Sequence, residues 1–306
     1  MNQSSSLLHT DSSSCLQTVS LNMPDEALST PIVNDQFSAQ DADITIQSSD
    51  GILFKLHRSN LAGITGAFPG PEIDTQGEIV HLTEPAKVLE IVFQYVYPRK
   101  HPSLKDLDFD TLLQVAEAVE KYDVFSAMNT CEWRLSEFLP DHAVEILAHS
   151  VKHGYPESID KAGLVLSRTP HLEMVEMLPL HCVVPWLKYQ GAWQKIFDNA
   201  IRHIDGMFYN YYCYDVQHVC SPCRVSLLGW VTKLSQIKTI SSLRDAITTR
   251  NPSIYNNSVA HPWCSNCSGN ICQFHLPTVQ KILEDGITSI PPFTEFLKAK
   301  EPAPSA

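Results

Sequence analysis

Residues 43–56 read Asp43-Ile44-Thr45-Ile46-Gln47-Ser48-Ser49-Asp50-Gly51-Ile52-Leu53-Phe54-Lys55-Leu56 and carry the clearest strand signal of the chain. Its first six residues alternate between apolar and polar side chains and include β-branched residues, which predicts a strand. The Ser-Asp-Gly segment that follows predicts a turn, with glycine where a positive φ is needed. Residues 52–56 predict a second strand, so the whole stretch is expected to form a β-hairpin.

The chain after the hairpin is mostly helical in its apolar spacing. A first helix is expected over residues 57–63, one further short strand over residues 78–82, and a second helix from Pro85. Asp110 is the expected N-cap of the next long helix, and Pro140 begins a further helical run that Gly154 interrupts. We therefore predict an α+β fold, in which a short three-stranded sheet with helices is followed by an all-α C-terminal region.

The composition divides the chain into four regions. Residues 1–40 are rich in Ser, Asp and Gln and lack apolar periodicity, which predicts a disordered acidic tail. Residues 41–139 hold the hairpin and its helices, and residues 140–210 form a helical region. Residues 211–306 are a second helical region, which contains a cluster of Cys and His residues.

Net charge and apolar pattern exclude several classes of function. The 306 residues carry a net charge of −12, and half of it lies in the first 43 residues, which hold six acidic and no Lys or Arg side chains. This balance argues against non-specific nucleic-acid binding and against docking on anionic lipid. No secretory leader and no apolar span of about 18–20 residues is found, so we expect an intracellular protein of the cytoplasm, the nucleus or both.

Three segments around and after the hairpin carry a family pattern. They are Phe54-Lys55-Leu56-His57-Arg58-Ser59-Asn60-Leu61, then Val92-Phe93-Gln94-Tyr95-Val96-Tyr97-Pro98, then the run from Leu112 to Val124. Together with the hairpin itself, they make residues 43–135 resemble the BTB/POZ domain, most closely the form expanded in mushroom-forming fungi. The helices after Pro140 are similar to the BACK-type helices that often follow this domain.

Two features depart from the family pattern. The family usually has a Ser-x-x-Phe-Phe step after its first helix, and Thr65-Gly66-Ala67-Phe68-Pro69 stands here instead. The residues before Asp43 are acidic and irregular, so no extra N-terminal strand of the kind exchanged between partners is recognised. The absence of that strand from the pattern argues against a domain-swapped dimer.

The resemblance implies a non-catalytic protein-interaction module. Its partners would be other proteins: a second copy of the chain in a homodimer, or a scaffold such as a cullin-3 ubiquitin ligase, for which the chain would be a substrate adaptor. The alternative is a transcriptional regulator that recruits partners through the BTB domain, although the chain has no basic stripe and no finger of the two-Cys, two-His type. No dinucleotide loop, phosphate loop or nucleophile elbow is present, so no enzyme activity is expected.

The resemblance also indicates interaction or structural residues at the junction of hairpin and first helix. These are Asp43, Phe54, His57 and Arg58. In one interpretation, Asp43 pairs with His57 or Arg58 and satisfies a partly buried polar spot. In the other, the same side chains line a charged pocket that faces a partner.

Six of the nine cysteines lie within residues 213–272, far more than an even spread would place there. Two pairs have the Cys-x-x-Cys spacing that presents two thiolates to a tetrahedral zinc ion. A structural zinc site is therefore the one cofactor that the sequence suggests, with ordinary thiols and a regulatory disulfide as alternatives. The candidate zinc ligands are Cys220, Cys223, Cys264 and Cys267, with Cys272 and His275 as alternates in a more local set.

Overall fold

The computed structural model describes residues 32–68, 77–169, 171–206, 221–248 and 270–298, and within these it gives the backbone alone for 171–173, 221–223 and 270–275. In this part of the chain a small sheet is followed by helices, which confirms the α+β prediction. The strands are β1 (Val33–Ser38), β2 (Ile44–Gln47), β3 (Leu53–Leu56) and β4 (Ile79–His81). The helices are α1 (Arg58–Ile64), α2 (Ala86–Gln94), α3 (Phe109–Lys121), α4 (Phe125–Ser136), α5 (Ala143–His153), α6 (Pro156–Leu166), α7 (His171–Met177), α8 (Leu180–Gly206), α9 (Ser221–Ser235), α10 (Ile240–Thr248), α11 (Asn270–Thr288) and α12 (Phe293–Leu297).

The predicted hairpin is present, and its two strands lie at the centre of the sheet. Strands β2 and β3 are antiparallel, with Ile46 opposite Phe54, and Gly51 adopts a φ of 84° in the turn between them. Strand β4 pairs with β2 in parallel, and β1 pairs with β3 in parallel, so the strand order is β1-β3-β2-β4. The buried side chains of the hairpin and of α2 share one core, in which the Phe54 ring lies 5.3 Å from that of Phe93.

Strand β1 corrects three predictions. Residues 32–40 are ordered rather than part of a disordered tail, and the sheet has four strands rather than three. An N-terminal strand also precedes Asp43, where none was recognised, and it pairs with β3 of its own chain. The ring of Phe37 is buried, with centroids 5.8 Å from Phe54 and 6.0 Å from Phe93, and the Leu53 N–H donates to the Ile32 carbonyl at 2.8 Å. One buried aromatic side chain and pairing with a neighbouring strand hold β1 in the sheet. Its sequence is mostly polar and therefore lacks the alternating apolar pattern that predicts a strand. Residues 1–31 lie outside the described residues.

The start of α3 corrects another prediction. Asp108, not Asp110, is the N-cap, and its carboxylate accepts a hydrogen bond from the Thr111 N–H at 2.8 Å. Asp110 lies in the first turn of the helix, where a negative side chain interacts favourably with the helix dipole. Two acidic residues so close together are both suited to a helix N-terminus, and the spacing alone does not separate their roles.

The helices after Pro140 end and begin at the residues that the sequence predicts. Helix α5 ends at Gly154, whose φ is 79° and whose N–H donates to the Ser150 carbonyl at 2.8 Å. Pro156 begins α6, which follows α5 after a short connection and packs against it. Farther on, α12 packs against α8, where Phe293 contacts Trp186 at a centroid distance of 5.1 Å. Among the described residues, no helix has the length and apolar character needed to cross a bilayer.

Glu84 connects the β4–α2 turn to the end of α3. Its Oε1 lies 2.8 Å from the Lys121 Nζ and accepts from the Thr83 hydroxyl at 3.0 Å, and the Tyr122 hydroxyl donates to Oε2. Burial alone would raise the pKa of Glu84, but the hydrogen bonds from Lys121 and Tyr122 outweigh it and hold the pKa below the ordinary value of 4.5.

Replacing Glu84 with glutamine should reduce the free energy of unfolding by about 1–2 kcal/mol at pH 7, because the charge-assisted hydrogen bonds are lost. A lowered folded-state pKa stabilises the fold above about pH 4.5, and this stabilisation is lost as the pH falls through the folded value. Urea unfolding of the wild-type chain and Glu84→Gln from pH 7 to pH 3 should therefore show a difference that shrinks below about pH 4.5. A difference that stays constant with pH would mean that the carboxylate charge contributes nothing.

Candidate functional site

Asp43 and Arg58 meet where the hairpin passes into α1. The Asp43 Oδ1 accepts from the Arg58 backbone N–H at 2.7 Å, and the Arg58 Nε donates to the Asp43 carbonyl at 3.4 Å. The Arg58 side chain is buried, so its guanidinium is held against the fold rather than offered to a partner. The carboxylate thus satisfies a backbone donor in the first turn of α1, as the interpretation of a partly buried polar spot predicts.

His57 and Phe54 have different surroundings from Asp43 and Arg58. The His57 N–H donates to the Tyr97 hydroxyl at 3.2 Å, its Nδ1 lies 3.0 Å from the same hydroxyl, and its Nε2 lies 3.3 Å from Asp41 Oδ1. Phe54 is fully buried, with its ring centroid 5.3 Å from Phe93. The four predicted residues therefore do not form one site: Asp43 pairs with Arg58, His57 contacts Tyr97, and Phe54 belongs to the core.

The predicted zinc ligands lie outside what the structure describes. Cys220, Cys264 and Cys267 are outside the described residues, and for Cys223, Cys272 and His275 only the helical backbone is described. Structural zinc at the cysteine cluster therefore stays a prediction.

Two other cysteines, Cys131 in α4 and Cys182 in α8, are buried as free thiols. Burial raises the pKa of the Cys131 thiol to about 12, and it raises that of Cys182 as well. Both are therefore protonated side chains of the core at neutral pH.

A cluster that the sequence analysis did not predict lies between α3 and α5. Glu117 projects from α3, and His149 and His153 lie one helical turn apart on α5. The Glu117 Oε1 is 2.7 Å from His149 Nδ1, and its Oε2 is 3.2 Å from His153 Nε2. The Lys152 Nζ also donates to Oε2. One carboxylate thus faces two imidazoles and an ammonium group, and we call these four residues the α3–α5 cluster.

The protonation states of the α3–α5 cluster follow from burial and from the hydrogen bonds. Burial alone would raise the pKa of Glu117, but the hydrogen bonds from Lys152, His149 and His153 lower it to about 2. Burial lowers the pKa of His149 below its ordinary value, although the neighbouring Glu117 acts in the opposite direction. At neutral pH Glu117 is therefore a carboxylate and His149 a neutral imidazole.

An open cleft of about 700 Å³ adjoins the α3–α5 cluster. Glu117, Glu120 and Lys121 line it from α3, and Lys152 and His153 line it from α5. The cleft gives solvent and small ions access to Glu117 and His153, whereas His149 is buried behind them. The signal that could have found the cluster is the His-x-x-x-His spacing at residues 149–153, which places both imidazoles on one helix face.

Helix α8 exposes an apolar face that no sequence argument singled out. Leu180, Val184 and Leu187 recur at i, i+4 and i+7, and their exposed fractions are 89%, 58% and 46%. The opposite face of the same helix is buried and includes Trp186 and Tyr189. The first half of α8 is therefore apolar on two sides, and we call its exposed side the α8 outer stripe.

The chain has no match among protein-family models or curated proteins. Its function is therefore argued from the residues and contacts described above.

Proposed function

We propose that the chain is a non-catalytic protein-interaction module of the BTB/POZ type, with a BACK-like helical region after it. Support comes from the family pattern of residues 43–135 and from the small sheet, with α1 before β4 and a run of helices after it. In this proposal residues 41–139 form the BTB/POZ domain and residues 140–210 the BACK-like region. The module acts by binding other proteins, as a cullin-3 substrate adaptor or through a second copy of the chain.

The single observation that carries the binding proposal is the α8 outer stripe. A surface helix normally has one apolar face toward the core and a polar face toward solvent. The first half of α8 instead exposes Leu180, Val184 and Leu187 while its opposite face is already buried. Contiguous exposed apolar side chains of this kind mark protein-interaction surfaces. A helix face with anchors at i, i+4 and i+7 suits docking against an apolar groove or a second helix.

The second half of α8 supports the same interpretation by contrast. Its exposed side chains are polar, as at Gln194, Asp198 and Asn199. The change from apolar to polar along one solvent-facing side confines the proposed binding surface to residues 180–187. It also supplies matched control positions on the same helix.

Affinity purification of the full chain followed by mass spectrometry tests the proposal. We expect recovery of specific proteins above a mock purification, and recovery of a cullin-3 scaffold would support the adaptor role. A known BTB adaptor purified in parallel serves as the positive control. If that control recovers its scaffold while this chain recovers no protein above the mock, the interaction proposal is wrong.

Self-association is measured separately by light scattering over a dilution series. A homodimer predicts a molar mass near twice 34.3 kDa at tens of micromolar. On dilution the molar mass should fall toward that of a single chain. A strict monomer at tens of micromolar removes the homodimer from the proposal and leaves binding to other proteins.

A further inference from the structure

We propose that Glu117, His149 and His153 form a binding site for a divalent transition-metal ion of the zinc type, at the junction of α3 and α5. The site is distinct from the predicted cysteine ligands, which lie in residues 220–275. It goes beyond the proposed protein-interaction function, since it assigns the chain an inorganic ligand that protein binding does not require.

The geometry of the three ligands supports the site. Their ligand atoms all lie within 4.8 Å of one another. The approaches of 2.7 Å from Glu117 to His149 and 3.2 Å from Glu117 to His153 are hydrogen bonds, so the carboxylate already orients both imidazoles toward itself. Two imidazoles and one carboxylate are a donor set that suits zinc and its neighbours in the first transition row.

A second carboxylate lies on the far side of the His153 ring. Its Nε2 faces Glu117, while its Nδ1 lies 3.6 Å from Glu120 Oε2 on the other side of the ring. The Tyr155 hydroxyl in turn donates to Glu120. A carboxylate behind an imidazole orients the ring and increases the basicity of the nitrogen that faces the metal. Glu120 and Tyr155 therefore act as positioning residues for the site.

Metal binding replaces the hydrogen bonds inside the cluster, because the ion takes the place of the protons between Glu117 and the two imidazole nitrogens. Coordination through His149 Nδ1 selects the tautomer with its proton on Nε2. Three protein ligands leave a fourth position of a tetrahedral ion open toward the cleft, where water can occupy it.

Lys152 is the competitor of the metal ion. Its ammonium group donates to the same Glu117 oxygen that faces His153, and it supplies the positive charge that a divalent ion would supply instead. The Lys152 side chain is 62% exposed, so it can turn into solvent when an ion binds. Removing Lys152 should therefore strengthen metal binding, which is the opposite of what removing a ligand does.

The test is titration of the untagged, chelator-treated full chain with Zn²⁺ in competition with a chromophoric chelator. We expect His153→Gln to bind one equivalent fewer than the wild-type chain, or to bind that equivalent about 100-fold more weakly. Lys152→Ala should bind it several-fold more tightly. His142→Gln is the matched control, because His142 precedes His149 by two helical turns and its ring stacks on Phe109 at 3.7 Å. The Zn²⁺ affinity of this variant should equal that of the wild-type chain.

Cobalt distinguishes this site from the cysteine cluster. The equivalent of Co²⁺ lost in His153→Gln should show visible d–d absorption without a sulfur-to-metal charge-transfer band, because its ligands are nitrogen and oxygen. A charge-transfer band on that same equivalent would assign it to cysteines and overturn the site. Equal affinity and stoichiometry in the wild-type chain, His153→Gln and Lys152→Ala would also overturn it. If His153→Gln does not fold, the Lys152→Ala variant tests the site on its own. An unchanged Zn²⁺ affinity in Lys152→Ala would contradict competition between Lys152 and the ion for Glu117.

Discussion

Phe54→Ala is expected to lower the free energy of unfolding by about 3–5 kcal/mol, the largest single effect on stability that the fold predicts. Phe54 is fully buried, and its ring contacts Phe37 of β1 and Phe93 of α2, at centroid distances of 5.8 Å and 5.3 Å. Truncation would leave a cavity where strand β3 meets both neighbours. Urea unfolding monitored by circular dichroism measures the loss.

Phe125→Ala is the matched control for this substitution. Phe125 begins α4 and is 61% exposed, so the same chemical change there should cost less than about 0.5 kcal/mol. Phe37→Ala should also destabilise clearly, because Phe37 is the side chain that attaches β1 to the core. Comparable small losses in Phe54→Ala and Phe125→Ala would contradict the described core.

The paired substitution Leu180→Asp with Val184→Asp should reduce recovery of the partner proteins by about 100-fold or more. Each change replaces an exposed apolar side chain of the α8 outer stripe with a charge that a bound partner would bury without a counter-ion. Because both positions face solvent, the thermal unfolding midpoint should change little. Quantitative mass spectrometry of parallel purifications measures the effect.

The control for the stripe variant is Gln194→Asp with Asn199→Asp. It adds the same two negative charges to exposed positions of α8, but in the polar half of the helix. Recovery by this control should match the wild-type chain. Equal losses in both variants would point to a general effect of charge on α8 and not to the stripe.

The hairpin could be predicted because its local signals and its burial agree. Ile44 and Ile46 alternate with polar residues and point into the core, and Gly51 occupies the one turn position with a positive φ. Gly154 and Pro156 were equally predictable, since both set the backbone where they stand. Strand β1 was not predictable, because only Phe37 of its six residues is buried and the strand therefore lacks an alternating apolar pattern.

The candidate sites were harder to predict than the fold for a related reason. Glu117 is distant in sequence from His149 and His153, and only the packing of α3 near α5 brings the three together. The α8 outer stripe was hidden because a helix with two apolar faces has no clear amphipathic pattern. Burial of one face has to be known before the other can be recognised as exposed.

Binding of another protein through the α8 outer stripe can be measured as a dissociation constant. Calorimetry with the most enriched partner compares three proteins: the wild-type chain, the Leu180→Asp/Val184→Asp variant and the Gln194→Asp/Asn199→Asp variant. We expect equal constants, within about twofold, for the wild-type chain and the polar-half variant, and binding weaker by about 100-fold for the stripe variant. One common dissociation constant for all three proteins would contradict binding through the stripe.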